Sequence, residues 1–295
     1  MQANIFFSIV IPTYNRADFV AKTIRSLLAQ TYPHFEIIVV DDGSTDNTEA
    51  VVGGIRSDKL TYHKKKNGER AAARNFGARL AKGDYVNFFD SDDLAYPVHL
   101  RTALDMIGSK GKPEWFHLGY DFRDPEGNLL QQVNQLPEVL NERLVKGNVL
   151  SCNNVFIRRD VALQHPFNED RDLSVTEDYE LWMRLASRFP LWHTNTIAST
   201  VVSHDQRSVI TVNRDKLIKR QELFLKYIWQ DTECLRKFGK NKKDMEADVY
   251  TYIALHLALT KQHRPDVVRY LFKSVVTGPK ALSTRRFWAS LKHII

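Results

Sequence analysis

The first hundred residues alternate short, unbroken apolar segments with segments of helical period. This alternation restricts the fold more than any other feature. Phe6-Phe7-Ser8-Ile9-Val10-Ile11 is an apolar, β-branched run that stops at Pro12 and reads as a buried strand. Residues 17–30 carry Val20, Ile24, Leu27 and Leu28 on one helical face. Residues 35–40 are a second buried strand, and residues 46–55 a short helix that Ser44, Thr45 or Asp46 can cap. Residues 60–63 are a candidate third strand, 70–80 a helix and 85–89 a fourth strand. Continuous apolar strands between helices predict a parallel sheet covered on both faces. In such sheets ligands bind outside the carboxyl ends of the strands.

Beyond residue 110 the pattern is less regular. Residues 115–120 and 155–157 are candidate strands, and Asp124-Pro125-Glu126-Gly127-Asn128 is a turn signal of the kind that joins a hairpin. Residues 178–187 have helical character. From Arg214 onward no strand is convincing; residues 251–260 are apolar nearly all round, as in a buried helix. After the break at Gly278-Pro279, Phe287, Trp288, Leu291, Ile294 and Ile295 fall on one face of a last helix, opposite Arg285, Arg286 and Lys292. A boundary near residue 213 is expected. It separates an α/β domain, residues 1–213, from a helical extension, residues 214–295. The domain itself divides near residue 110 into two halves.

Composition removes several classes. Two cysteines, Cys152 and Cys234, exclude a disulfide scaffold and a multi-cysteine zinc module. The first residues lack the basic flank and cleavage site of a signal peptide, and no apolar run approaches the roughly 20 residues that span a bilayer. A cytoplasmic location is the expectation. Charge is uneven: residues 214–295 hold 18 Lys and Arg against 8 Asp and Glu, in a chain of net charge +7. That excess suggests an anionic partner surface. The tail's aromatics lie at helical spacing and no nucleic-acid motif is present, so nucleic acid is not the expected partner.

Two acidic groups mark the strand ends. The second strand runs into Asp41-Asp42-Gly43-Ser44-Thr45-Asp46, and the fourth into Asp90-Ser91-Asp92-Asp93. Turn and cap chemistry accounts for either alone. Parallel strands would bring both to one edge, where their mutual repulsion calls for a cation. Mg²⁺ or Mn²⁺ takes oxygen ligands, commonly one or two carboxylates, and keeps positions for substrate phosphates.

With these segments the sequence closely resembles the family-2 glycosyltransferases. The resemblance rests on residues 8–15 (Ser-Ile-Val-Ile-Pro-Thr-Tyr-Asn), 38–46, Ala73-Arg74-Asn75, Lys82-Gly83-Asp84-Tyr85 and Phe89-Asp90-Ser91-Asp92-Asp93, in that order and spacing. It covers about residues 6–208. It implies an α/β GT-A fold, a mixed, mostly parallel sheet flanked by helices, and an inverting transfer of a hexosyl or N-acetylhexosaminyl group. The sugar would come from a nucleotide-diphosphate donor, UDP by family frequency, with Mn²⁺ or Mg²⁺. The acceptor would be a glycan or a lipid-linked hydroxyl compound. By position, Pro12, Tyr14 and Asp42 look like the nucleoside residues, and Asp90-Ser91-Asp92 like the DXD element. Asp92 would touch metal directly, and Asp90 the ribose or the metal. Arg70 and Arg74 open a helix aimed at the same edge, suited to phosphate or a base carbonyl.

Downstream, Thr176-Glu177-Asp178-Tyr179-Glu180-Leu181-Trp182 resembles the family's ED element, with Asp178 as the catalytic base and Glu177 and Trp182 toward the acceptor. His204, in Val202-Ser203-His204-Asp205-Gln206-Arg207, matches a segment where many GT-A enzymes place a histidine near metal or diphosphate. His165-Pro166-Phe167 departs from the family pattern, so acceptor identity does not carry over. Polyprenyl-linked acceptors in the family extend the expectation to peripheral contact with anionic membrane through the C-terminal helices, or to a second subunit in a homodimer. The rivals are a sugar-phosphate nucleotidyltransferase and a non-catalytic nucleotide- or glycan-binding module. The first would carry a glycine-rich loop after strand one, yet residues 12–18 contain no glycine. The second has no need of a base at Asp178.

Overall fold

The structure is a computed structural model, and it describes residues 4–133, 135–205, 213–261 and 263–294. In chain order the elements are β1 (Phe7–Thr13), α1 (Ala17–Leu28), β2 (Phe35–Asp41), α2 (Thr48–Gly53), β3 (Leu60–Lys64), α3 (Glu69–Leu80) and β4 (Tyr85–Phe88). Then come β5 (Leu94–Ala95), α4 (His99–Lys110), β6 (Trp115–Arg123), β7 (Leu129–Gln132), α5 (Asn141–Leu144), β8 (Val155–Arg158) and α6 (Arg159–Gln164). The remainder are α7 (Glu177–Arg188), β9 (Trp192–Val202), α8 (Arg214–Gln230), α9 (Thr232–Phe238), α10 (Lys242–Leu259), α11 (Arg264–Thr277) and α12 (Arg285–Ile294).

The chain forms two compact units. Residues 1–140, 150–171 and 189–205 make the first, and residues 141–149, 172–188 and 206–295 the second. The first holds the whole sheet, in the order β3-β2-β1-β4-β8-β6-β9-β5 with β7 paired to β6. The first four strands, β1 to β4, run parallel; β8 then enters antiparallel to both β4 and β6, and β6 pairs parallel with β9. Hence β1, β2, β3, β4, β6 and β9 all point their carboxyl ends at one edge. All seven residues of β1 are buried. Phe7, Ile9 and Ile11 pack with Val20, Ile24 and Leu27 of α1 and with Ile37 and Val39 of β2 in one core.

The sheet is mixed and mostly parallel, as the resemblance implies, with one correction of detail. Pro12 does not end β1, which continues to Thr13. The carbonyl of Val10 accepts the Phe89 N–H. Residues two apart in a strand face the same neighbour, so Pro12 faces the β4 side at a level that β4, paired only from Tyr85 to Phe88, has already left. Its missing N–H breaks no ladder bond. The gap it borders is where strand order reverses, the usual ligand crevice of open α/β sheets. α3 lies tight against β1. A Cβ on Gly77 would come 2.3 Å from Cγ1 of Val10, so only glycine permits this approach.

The second unit is helical. α7 buries Leu181, Trp182, Met183, Leu185 and Ala186. The apolar stretch seen in sequence is the second half of the 18-residue α10, where Thr251, Ile253, Ala254, Leu257 and Ala258 are buried. On α12 the expected single apolar face divides: Phe287 is buried, whereas Trp288 is 59% exposed. Ile295 lies outside the described residues. Among those described, no helix is long and apolar enough to cross a membrane.

Candidate functional site

In the first unit the carboxyl edge gathers Pro12, Tyr14, Asp42, Asp90, Ser91, Asp92 and His204, with Arg70 and Arg74 on the first two turns of α3 beside it. Tyr14 is 48% exposed just past β1. Asn15 behind it has φ 51, a left-handed conformation that Asn tolerates better than most residues. The Asn15 N–H donates to Ser44 Oγ at 2.9 Å, and its Oδ1 accepts the Thr45 N–H at 2.8 Å. These bonds tie the β1 end to the β2 end. Asp41 Oδ1 accepts the Ser44 N–H at 2.7 Å, and its other oxygen accepts from Tyr62 Oη. Burial and that carboxylate push the Tyr62 phenol up, so it stays a donor. Asp41 is thus a structural acid. Asp42, one residue on, is buried with Oδ1 accepting from Lys65 Nζ at 2.6 Å and from the Gly68 N–H at 2.9 Å.

Past β4 the acidic turn is held from below. Asn153 Oδ1 accepts the Asp90 N–H at 2.7 Å, while Asn153 Nδ2 donates to Asp93 Oδ2 at 2.7 Å. Asp93 Oδ1 accepts the Val202 N–H at 2.8 Å. Asp93 is therefore a fully buried brace between β4 and β9. Arg74, 2% exposed, donates through Nη2 to Asp90 Oδ1 at 2.8 Å and lies over the Phe167 ring at 5.2 Å. Asp92 faces the other way. Its Oδ2 is 3.2 Å from His204 Nε2 and 3.7 Å from Arg16 Nε. The His204 ring stacks on Phe19 at 4.4 Å. Ser91 is buried between the two acids. Gln206 and Arg207 of the His204 segment lie outside the described residues.

Among the described residues, no group of three or more His, Cys, Asp or Glu side chains converges on a point that could hold an ion. What converges is smaller: Asp92 with His204, and Asp90 nearby with Oδ1 committed to Arg74. One or two carboxylate oxygens and an imidazole suit Mn²⁺, with a diphosphate completing the shell. His204 Nδ1 is buried with no hydrogen-bond partner among the described residues. The ring is thus aligned by stacking, and Nε2 is its only engaged nitrogen. The donor set fits a metal that arrives with its nucleotide.

In the second unit, Glu177 and Asp178 open α7, where carboxylates complement the helix dipole. Asp178 is half-buried. Its Oδ1 accepts the Tyr179 N–H at 2.6 Å, and its Oδ2 lies 3.5 Å from Asn148 Nδ2. Tyr179 is fixed by a bond to the Leu144 carbonyl and by stacking on Phe224 at 4.6 Å. Val175, just ahead of this turn, has φ 80, a strained conformation for a β-branched residue. Glu177 is buried. Trp182 has no exposed surface and holds a core position, so it offers no face to an acceptor in this state. Sequence reasoning did not single out Asn153 or Lys65, and gave Asp93 and Asn15 no role of their own within the motifs that contain them. Asn153 carries no local signal, because its partners are 60 and 63 residues away in sequence.

Comparison with known proteins identifies the family and the fold. The model of glycosyl transferase family 2 matches residues 8–160. An uncharacterised glycosyltransferase of Rickettsia conorii is 34% identical over 193 residues, which are 62% of this chain and 32% of that protein. Chondroitin synthase of Escherichia coli is 28% identical over 237 residues, 80% of this chain and 33% of the synthase. The chain thus spans about a third of the length of either relative. The structure of S. aureus TarS residues 1–349 in complex with UDP-GlcNAc superposes with a TM-score of 0.72 at 20% identity, covering 98% of this chain and 88% of that one. Mannosyltransferase PcManGT from Pyrobaculum calidifontis, in complex with GDP-Man and Mn²⁺, gives 0.64 at 17% identity, covering 98% and 86%. These likenesses show the GT-A fold. With the family model matching more than half of its residues, the chain belongs to glycosyl transferase family 2.

Proposed function

We propose that this protein transfers a hexosyl or N-acetylhexosaminyl group from a nucleotide-diphosphate sugar, a UDP-sugar, to an acceptor hydroxyl with inversion, in polysaccharide or glycoconjugate synthesis. One observation carries the reading: Asp42 and the Asp90–Asp92 turn share one sheet edge, beside exposed Tyr14 and the crevice at Pro12. The binding of UDP-GlcNAc by TarS and of GDP-Man with Mn²⁺ by PcManGT supports a nucleotide-sugar donor. The chondroitin synthase relative supports a polysaccharide product.

In this reading Tyr14 packs on the base and Asp42 accepts its N–H. Arg70 and Arg74 balance the edge for a diphosphate, Arg74 also fixing Asp90. Asp92, Asp90 and His204 would hold Mn²⁺ or Mg²⁺, which when bound offsets charge on the departing diphosphate. Asp178 takes the acceptor proton as its oxygen attacks the anomeric carbon from the opposite face. A strained residue ahead of Asp178 accords with a positioned side chain. The test is a thermal-shift panel of UDP, GDP and dTDP with Mn²⁺ or EDTA. A ligand at a hundred times its Kd adds about 2.7 kcal/mol. Stabilisation by a nucleoside diphosphate that needs Mn²⁺ in the wild type, and no longer responds to it in Asp92→Ala, is expected. Equal binding in EDTA would remove the metal from the mechanism.

A second surface supports membrane contact. Val268, Phe272 and Val276 stand 57%, 71% and 67% exposed along α11, and Trp288 is exposed on α12. Val268 and Phe272, with Leu271, Val275, Phe287 and Leu291, line an apolar groove of about 270 Å³. Residues 249–295 hold eight Lys and Arg against one acid, Asp266. An apolar stripe with a cationic rim is the chemistry that seats on anionic lipid.

A further inference from the structure

Asp42 is held by more than its own strand. β3 ends at Lys64, and the chain turns back over the end of β2. The Lys65 N–H donates to the Asp41 carbonyl at 2.9 Å, and Asn67 Nδ2 to the Asp42 carbonyl at 3.0 Å. Arg171 Nη2 donates in turn to the Asn67 carbonyl at 2.7 Å, pinning the turn from the far side. On this support Lys65 Nζ and the Gly68 N–H both donate to Asp42 Oδ1. The fit leaves no slack. A Cβ on Gly68 would stand 2.9 Å from Lys65 Nζ and 3.1 Å from the Ala72 Cβ. Among the described residues no donor reaches Asp42 Oδ2.

A carboxylate oxygen has two acceptor positions, and both on Oδ1 are taken. Asp42 therefore offers one open oxygen. Lys65 Nζ also donates to the Lys66 carbonyl at 2.7 Å. An ammonium has three N–H groups, so one is left. The pair presents one acceptor beside one donor. Uracil and thymine offer one ring N–H flanked by carbonyl oxygens, which matches. Guanine sets two N–H groups side by side and needs both oxygens of a carboxylate, so one of its donors would be left unpaired in a buried site. Buried polar groups without partners are what reject the wrong ligand most strongly.

We infer that Lys65 sets the base selectivity of the nucleotide site by occupying Asp42 Oδ1, favouring uracil and thymine over guanine. The inference rests on Asp42 being the base-binding acid. Titration calorimetry of the full chain with UDP, dTDP and GDP in Mn²⁺ tests it, using wild type, Lys65→Met and Gly68→Ala. Wild type should bind UDP and dTDP at least about tenfold more tightly than GDP. Lys65→Met frees Oδ1 and removes the donor, so the contrast should shrink to about threefold or less, mainly through weaker UDP binding. Gly68→Ala displaces the ammonium without changing its chemistry. It should narrow the contrast in the same direction, and it serves if Lys65→Met does not fold. Lys65 is not the selector if wild type binds UDP and GDP equally, or if both variants keep the wild-type ratio. Either result leaves the nucleotide site itself intact. Binding of none of the three nucleotides to wild type would remove the base-binding role of Asp42, and with it the role of Lys65.

Discussion

Asp42 and Asp178 carry the same charge and are assigned to different substrates, so their loss should look different. Asp42 accepts two hydrogen bonds on one oxygen, and the proposed role gives the other to a base. Asp178 stands at the first turn of α7 beside Asn148. Asp178→Asn keeps the size and much of the capping capacity but not the basicity. General-base catalysis contributes about 10²–10⁴-fold, so transfer should fall by that much with UDP affinity nearly unchanged. Asp42→Ala should weaken UDP binding, with turnover partly recovered at high sugar-nucleotide concentration. Steady-state kinetics with parallel calorimetry separates the two. A loss of UDP affinity in Asp178→Asn equal to that in Asp42→Ala would remove the base assignment and bring Glu177 or Glu180 forward, although Glu180 already pairs with Arg184 at 2.8 Å. At this scale the acids could be read from sequence because they are contiguous with their strands. Their supports could not. Asn153, Asp93 and Lys65 act through partners tens of residues away, and no local pattern marks such a contact.

The elements that sequence reading found are those whose burial follows a simple period. β1, β2 and β4 are buried on both faces apart from Glu36, so their sequences are mostly apolar without alternation. The eleven-residue β9 was missed for the opposite reason. His-Thr-Asn-Thr fills its first half, where residues 195 and 196 are exposed, and its register against β6 shifts on both sides of Gly119. Alternation cannot survive two such irregularities. α4 was missed although His99, Leu100, Ala103, Leu104 and Ile107 keep a helical period, because it follows Pro97 and Val98 with no side-chain cap to announce it. On α12 the period was right, yet periodicity cannot say which apolar residue meets a neighbour and which meets water. That difference yields a test. Phe272→Glu with Trp288→Glu changes exposed residues, so stability should shift by no more than about 0.5 kcal/mol per site. Flotation with vesicles containing anionic lipid at low salt should fall from clear association to none, and wild-type association should weaken as salt rises. No flotation of the wild type at low salt would assign the groove to another partner.

Histidine burial makes the whole molecule sensitive to acid in a direction that can be worked out. His99 is fully buried, and burial lowers it to about 3. His117 is held well below its ordinary value by burial and by His193, whose ring stacks on it at 5.1 Å between the paired strands β6 and β9. Burial also lowers His193 and, in the second unit, His256. All four are neutral in the folded chain near neutral pH. The unfolded chain protonates each near pH 6.5. The unfolded state binds more protons as pH falls through that value, so stability is flat only about a unit or more above pH 6.5 and falls as the medium acidifies. Each fully committed histidine gives a slope of about 1.4 kcal/mol per pH unit, so His99 and His117 alone approach 3 kcal/mol for a unit well below 6.5. The carboxylates act in the same sense but later. Hydrogen bonds from Thr48 and neighbouring N–H groups outweigh burial at Asp46, and those from Arg188 and Cys234 do so at Asp231, lowering both. Their contribution is lost only as pH falls through the folded values, below about 4. Urea melts at pH 8.0, 7.5 and 5.5 should therefore give nearly equal stability at the first two and a clear loss at the third. His99→Gln with His117→Gln costs stability at every pH through lost packing, but should flatten the acid slope by about the share those two residues hold. A wild-type midpoint that does not move between pH 7.5 and 5.5, or a slope unchanged in the double variant, would mean that these histidines are not held neutral by the fold.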